Sequence, residues 1–149
     1  MESLTGLERI RGSRVYLDAN IFICFLAPSP TLGKVAGTLL AAAQSGEFAA
    51  VTGKAAIAEV MAGPYRANDQ LMIRSTRKFF RQPGLLEVVG HDEKIWDDTA
   101  MLRGTLGSAF IDALHVATAA ATQCAHIVTN DDRIKPALGV DVVTLSEFR

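Results

Sequence analysis

Apolar and polar positions fall into two patterns along this chain. Short apolar runs bounded by turn residues read as strands, and longer stretches with helical spacing separate them. The first run is Val15-Tyr16-Leu17, which ends on Asp18 with Asn20 two residues on. Further strands are expected at 48–52, 85–90, 126–130 and 140–144. Helices are expected at 21–26, 32–43, 54–61, 68–80, 92–103 and 109–123. Their ends are read from breakers and caps. The segment Pro28-Ser29-Pro30 closes the first helix, Thr31 caps the second and Gly46 ends it, Gly63-Pro64 stops the third, and Gln82-Pro83-Gly84 the fourth. Residues 104–107 read as a loop and Ser108 as the cap of the last helix, whose positions are apolar on nearly every side. Residues 1–13 read as a lead-in and 146–149 as a short tail.

The strands are apolar without alternation, which suits a parallel sheet covered on both faces. Strands alternating with helices give a fold class of α/β, a three-layer α/β/α sandwich with a central, mainly parallel sheet of four to five strands. At 149 residues, with no repeats or low-complexity stretches, the chain is expected to form a single domain.

Composition narrows this picture only a little. Apolar residues make up 49% and charged residues 21%, as in a soluble globular protein. A net charge of −1 gives no global attraction to nucleic acid, so any such binding needs a local patch. Cys24 and Cys124 sit in apolar context with no C-x-x-C, which points to reduced thiols rather than a disulfide or zinc framework. No signal-peptide core follows Met1, and no apolar run is long enough to span a bilayer. The expected location is cytoplasmic, without a membrane partner.

Four acids stand where apolar residues are expected. Asp18 ends the first strand, Glu59 lies among Ala, Ile, Val and Met, Asp112 opens the buried helix, and Asp131 ends the fourth strand. Taken singly each has a structural explanation: Asp18 and Asn20 as caps, Asp112 as an acid favoured by a helix N-terminus, Asp131 or Asp132 as a cap, Glu59 as one exposed helix residue. Taken together they converge, because strand ends in an open parallel sheet meet at one edge where ligands bind. Convergent carboxylates repel, and only Lys54 and Arg133 are near in sequence. A divalent cation answers the repulsion, and oxygen-only donors select Mg²⁺ or Mn²⁺.

These residues also carry a resemblance. The segments Val15-Tyr-Leu-Asp-Ala-Asn-Ile21, Ala58-Glu-Val60, Phe110-Ile-Asp-Ala-Leu-His-Val-Ala-Thr-Ala119 and Ile127-Val-Thr-Asn-Asp131 resemble, in order, the four motifs of PIN-domain proteins, especially the small VapC-type toxins of toxin–antitoxin pairs. The resemblance implies a metal-dependent ribonuclease with Asp18, Glu59, Asp112 and Asp131 as its acidic set, Asp18, Asp112 and Asp131 holding Mg²⁺ or Mn²⁺. Asn20 and Thr129 would position those carboxylates by hydrogen bonds. It implies a homodimer and a cognate antitoxin as well. Two departures stand out: Ala55 and Ala56 replace the hydroxyl residue that often precedes the glutamate, with Thr52 as a substitute, and the last acid is doubled as Asp131-Asp132.

For substrate contact, Lys54, Arg74, Arg77 and Lys78 are the candidates, joined by Arg66 and Arg81. Their alternative is a solvated helix face. Phe79 and Phe80 are candidates for base stacking, with a core role as the alternative. His115, three residues after Asp112, either touches substrate or packs beneath the site as a hydrogen-bonded core histidine. Two further readings of function remain: a catalytically silent scaffold that binds RNA or protein, and a haloacid-dehalogenase-type phosphatase with Asp18 as nucleophile. The second lacks the acid it needs two residues on, where Asn20 stands.

Overall fold

The computed structural model describes residues 5–27 and 30–148. A short helix α1 (Gly6–Ile10) leads into β1 (Arg14–Leu17), followed by α2 (Ala19–Leu26) and α3 (Leu32–Gln44). Then come β2 (Ala49–Gly53), α4 (Lys54–Arg66), α5 (Gln70–Phe80) and β3 (Glu87–Val89). The chain finishes with α6 (Glu93–Leu106), α7 (Phe110–Ala121), β4 (His126–Thr129), β5 (Asp141–Thr144) and a 3₁₀ turn at Leu145–Phe148.

The five strands form one sheet in the order β3-β2-β1-β4-β5, and every neighbouring pair is parallel. Alternate strand residues serve opposite cores. Val15 and Leu17 face the layer that holds Phe22, Leu39, Val60 and Phe80, whereas Tyr16 faces the layer of Leu102, Leu114 and Ala117. Val15, Tyr16 and Leu17 are fully buried, as a central strand covered on both faces requires. From β1 the chain builds outward to β2 and β3, then crosses back to place β4 on the other side of β1. Between β1 and β4, connections leave in opposite directions, which opens a crevice at the carboxyl ends of the strands. The register Leu17↔Val128 sets Asp18 beside Thr129 at that crevice.

Several element ends differ from the sequence expectation. Pro64 does not stop α4: it lies inside the helix, buried, and the backbone recovers with Ala67 N–H donating to Gly63 C=O at 3.0 Å. A helix-interior proline removes one donor, and burial of the ring accompanies that loss here. Residues 104–106 continue α6 rather than forming a loop, and Gly107 ends it in the left-handed conformation at φ +67°. Ser108 is not a cap; α7 begins after Ala109, which offers no side-chain acceptor. Thr31 occupies the cap position of α3 without a side-chain hydrogen bond. Asp69 caps α5 through Met72 N–H, which moves that helix's start two residues beyond Asn68. Pro28 and Ser29, read as the end of the first helix, lie outside the described residues. The lead-in is a helix held by a Thr5–Glu8 capping box.

Candidate metal and nucleic-acid site

Asp18 follows β1 directly and is 5% exposed. Its Oδ1 accepts from Ala19 N–H at 2.7 Å, and its Oδ2 accepts from the Thr129 hydroxyl at 2.7 Å. That hydroxyl also accepts from Asp131 N–H at 3.0 Å, so one threonine ties both strand-end acids together. Asn20 Oδ1 accepts from Asn130 N–H at 3.0 Å, which fixes the exit of β4 against the start of α2. Asp18, not Asn20, is the cap of α2. Burial raises the Asp18 carboxyl above its ordinary range, against the lowering pull of His115 and Thr129.

Glu59 meets the cluster from α4, across the sheet edge. His115 on α7 is fully buried, and its Nε2 lies 2.7 Å from Glu59 Oε1 and 3.4 Å from Asp18 Oδ1. On its other side, Nδ1 is 2.7 Å from the Tyr16 hydroxyl, which accepts from Gly53 N–H at 3.1 Å. The Tyr16 hydroxyl can donate to or accept from Nδ1, whereas the Glu59 carboxylate can only accept from Nε2. This places the imidazole proton on Nε2, aimed at Glu59. Burial pushes the Tyr16 phenol far up, so it stays a neutral donor. His115 is fully buried and holds Glu59 from beneath.

Asp112, half-buried in the first turn of α7, is raised by burial and then by the negative charges of Asp131 and Asp18, with Arg133 and His115 opposing. Asp131 is lowered by its hydrogen bonds to Arg133, whose guanidinium grips the carboxylate at 2.8–3.2 Å. Asp132 is exposed beside it.

Among the described residues, the ligand atoms of Asp18, Glu59 and His115 lie within 4.8 Å of one another. With the His115 proton on Nε2, the donors left are carboxylate oxygens. Asp112 and Asp131 lie outside that group; burial and then the charge of Glu59 raise Asp18, and burial and then the charges of Asp131 and Asp18 raise Asp112. This donor set fits a hard divalent cation, which would relieve both causes. Arg133 is the competing cation; it hydrogen-bonds Asp131 and acts on Asp112 only through its charge.

A family model for the PIN domain matches residues 15–137. The chain belongs to the PIN-domain family. Solved structures of similar fold include a toxin–antitoxin complex from Klebsiella pneumoniae, with a TM-score of 0.66 and 19% identity over 85% of this chain and 94% of that one. VapBC2 from Rickettsia felis, bound to a DNA fragment from its promoter, aligns with a TM-score of 0.71 and 18% identity over 88% and 98%. The Mycobacterium tuberculosis VapC20, described as a sarcin–ricin-loop-cleaving toxin, aligns with a TM-score of 0.63 and 11% identity over 76% and 86%. No curated protein sequence matches the chain significantly.

The rest of the expected site of this PIN domain is more scattered. Thr52 does not reach the acids; its hydroxyl donates to Leu17 C=O at 2.8 Å and braces the backbone just before Asp18. Lys54 opens α4 and sits near His91 rather than against the acids. Arg74, Arg77 and Lys78 line a separate cavity of about 650 Å³ with Arg81 and Pro83. Glu59 instead edges a cavity of about 540 Å³ between α2, α4 and α5, shared with Ile23, Leu26, Arg66 and Met72. Phe80 is buried and packs with Phe79 and Phe22 in an aromatic cluster, so these rings serve the core.

The sequence reading missed Tyr16 and His91. His91 Nδ1 bonds the Thr118 hydroxyl at 2.8 Å and Nε2 accepts from Ala55 N–H at 3.1 Å, which ties β3's exit to α4 and α7. The available signal was Gly53: a Cβ there would come within 2.6 Å of the Tyr16 hydroxyl and 2.7 Å of the His91 ring. A glycine closing an apolar strand marks such a close approach.

Proposed function

We propose that this PIN domain is a Mg²⁺- or Mn²⁺-dependent endoribonuclease, acting as the toxin of a toxin–antitoxin pair. One observation carries the reading: Asp18 at the end of β1, Glu59 on α4 and His115 on α7 bring their ligand atoms within 4.8 Å of one another at the sheet's switch point. Asp18, Asp112 and Asp131 are the residues that would hold the cation, and Glu59 completes the acidic set as ligand or water-orienting group. When bound, such a cation supplies Lewis-acid activation of water and neutralises phosphate charge. Thr129 and Asn20 hold the two strand ends in register, and His115 fixes Glu59. The fold shared with toxin–antitoxin structures supports an antitoxin partner, and the cavity beside Glu59 is where a peptide segment would cover the acids. A homodimer belongs to the same reading.

The phosphatase reading is weaker still on this geometry. Both Asp18 oxygens accept hydrogen bonds, and Asn20 spends its oxygen on Asn130. The test is direct: purified protein, free of antitoxin, is incubated with structured and unpaired RNAs in Mg²⁺, Mn²⁺ or EDTA. Cleavage that needs the metal and is lost in Asp18→Asn is expected. RNA bound but left intact in every metal would instead favour a silent scaffold.

A further inference from the structure

Three rings and two cations line up along the edge of the sheet that carries the acids. His91 follows β3, and its ring centroid lies 5.7 Å from that of Trp96 in the first turn of α6. Trp96 lies 6.2 Å from Phe110, with the ring planes 15° from parallel. Arg103, two turns along α6, places its guanidinium 5.5 Å from the Phe110 centroid. Lys54, exposed, directly precedes Ala55, whose N–H donates to His91 Nε2 at 3.1 Å. Phe110 opens α7, and Asp112 lies in that same first turn.

An aromatic pair joining two helices ordinarily belongs to their core. These rings do not close it. Ile95, Leu102, Ala113 and Leu114 are buried beneath, while Trp96 is 45% exposed and Phe110 47%. A centroid separation of 6.2 Å at near-parallel planes is wider than a face-to-face stack, so the rings are offset and present an extended surface. Exposed aromatic faces flanked by cations are the recurring platform for unpaired bases, the rings taking the base and the cations its phosphates.

We infer that Trp96 and Phe110 form a stacking platform for an unpaired nucleobase of the RNA substrate, with Lys54 and Arg103 contacting the adjoining phosphates. The inference rests on the ribonuclease reading and deepens it: the substrate is single-stranded, or is held at an unpaired loop, next to the scissile bond. Placement favours RNA over an apolar protein segment, because cations flank both ends of the row and the acidic cluster begins in the same helical turn as Phe110. Duplex RNA keeps its bases stacked on one another and offers none to the platform.

Trp96 is the only tryptophan in the chain, so its fluorescence reports this surface alone. The experiment titrates Asp18→Asn protein with a short unpaired RNA and with the same RNA annealed to its complement. Saturable quenching by the unpaired strand is expected, with much weaker response to the duplex. Phe110→Leu should weaken binding on the order of tenfold to a hundredfold. In the otherwise wild-type protein, Trp96→Leu should raise KM for unpaired RNA by a similar factor and leave kcat within about threefold. Unquenched Trp96 at saturating RNA, or a Trp96→Leu protein with wild-type KM, overturns the inference. So does a Trp96→Leu protein that turns from dimer to monomer without losing RNA affinity, which would give the face to a second copy. If Trp96→Leu fails to fold, quenching in the Asp18→Asn and Phe110→Leu proteins still decides. Quenching requires no cleavage: RNA that quenches but is never cut sinks the ribonuclease reading alone, and RNA that is cut without quenching sinks the platform alone.

Discussion

Asp18 serves the fold through both its oxygens and, on the proposed reading, the chemistry as well. Its two oxygens are both hydrogen-bonded, yet burial keeps its ionised form unfavourable. Asn retains one acceptor and removes the charge. Asp18→Asn is therefore expected to lose at least a hundredfold in RNA cleavage while matching or exceeding wild-type stability in metal-free buffer. The sign with pH follows from the raised carboxyl. A raised folded-state value makes the ionised aspartate a cost that is fully present once pH exceeds that value. That cost shrinks as pH falls through the folded value and vanishes below the ordinary 3.8. Denaturation curves should show the variant's advantage largest near pH 7 and absent at pH 3.5; an advantage that grew with acid would refute this account. Tyr16 acts in the opposite sense. Tyr16→Phe leaves the buried Gly53 N–H and His115 Nδ1 without partners, and should cost about 1–3 kcal/mol in chemical denaturation.

At the scale of elements, the strand pattern was legible because burial on both faces leaves a strand no polar positions. Val15-Tyr16-Leu17 and Ile127-Val128 are read correctly for that reason, and the acids just past them inherit a place at the sheet edge. Helix ends were less legible. Pro64 and Gly104 are breakers by local propensity, but each is carried inside its helix, where tertiary packing overrides propensity. The ties between elements could not be read at all. His91 meets Ala55 and Thr118, partners far apart in sequence and chosen by the fold. Burial lowers the His91 imidazole, with the nearby charges of His115 and Lys54 adding to it. Its contribution to stability is full above the ordinary 6.5 and is lost as pH falls from there toward the lowered folded value. Wild-type protein should thus lose stability between pH 7.5 and pH 5 more steeply than His91→Gln. Parallel slopes for the two proteins would remove His91 from the account.

Across the whole molecule, the proposed metal site would couple ion binding to folding. The charge of Glu59 raises the cost of ionised Asp18, those of Asp131 and Asp18 raise that of Asp112, and a cation that binds only the folded chain would return that cost. Mg²⁺ or Mn²⁺ at about a hundred times its dissociation constant should add about 2.7 kcal/mol to stability. Scanning calorimetry should show Tm rising with metal in the wild type and hardly at all in Asp18→Asn. An equal rise in both would place the ion elsewhere.

The crevice also has a consequence in time. Its two walls are strands β1 and β4, and Thr129 reaches Asp18 across 111 positions of sequence. Arg9 of α1 then pairs with Asp141 and Glu147 near the far end. Contacts this distant close late, because each must first overcome loop-closure entropy. A chain still being synthesised carries Asp18, Glu59 and Asp112 before β4 exists to gather them. The candidate site is thus assembled last, once β4 brings Thr129 to Asp18. Chains ended before His126 should cut no RNA, even where every earlier acid is intact.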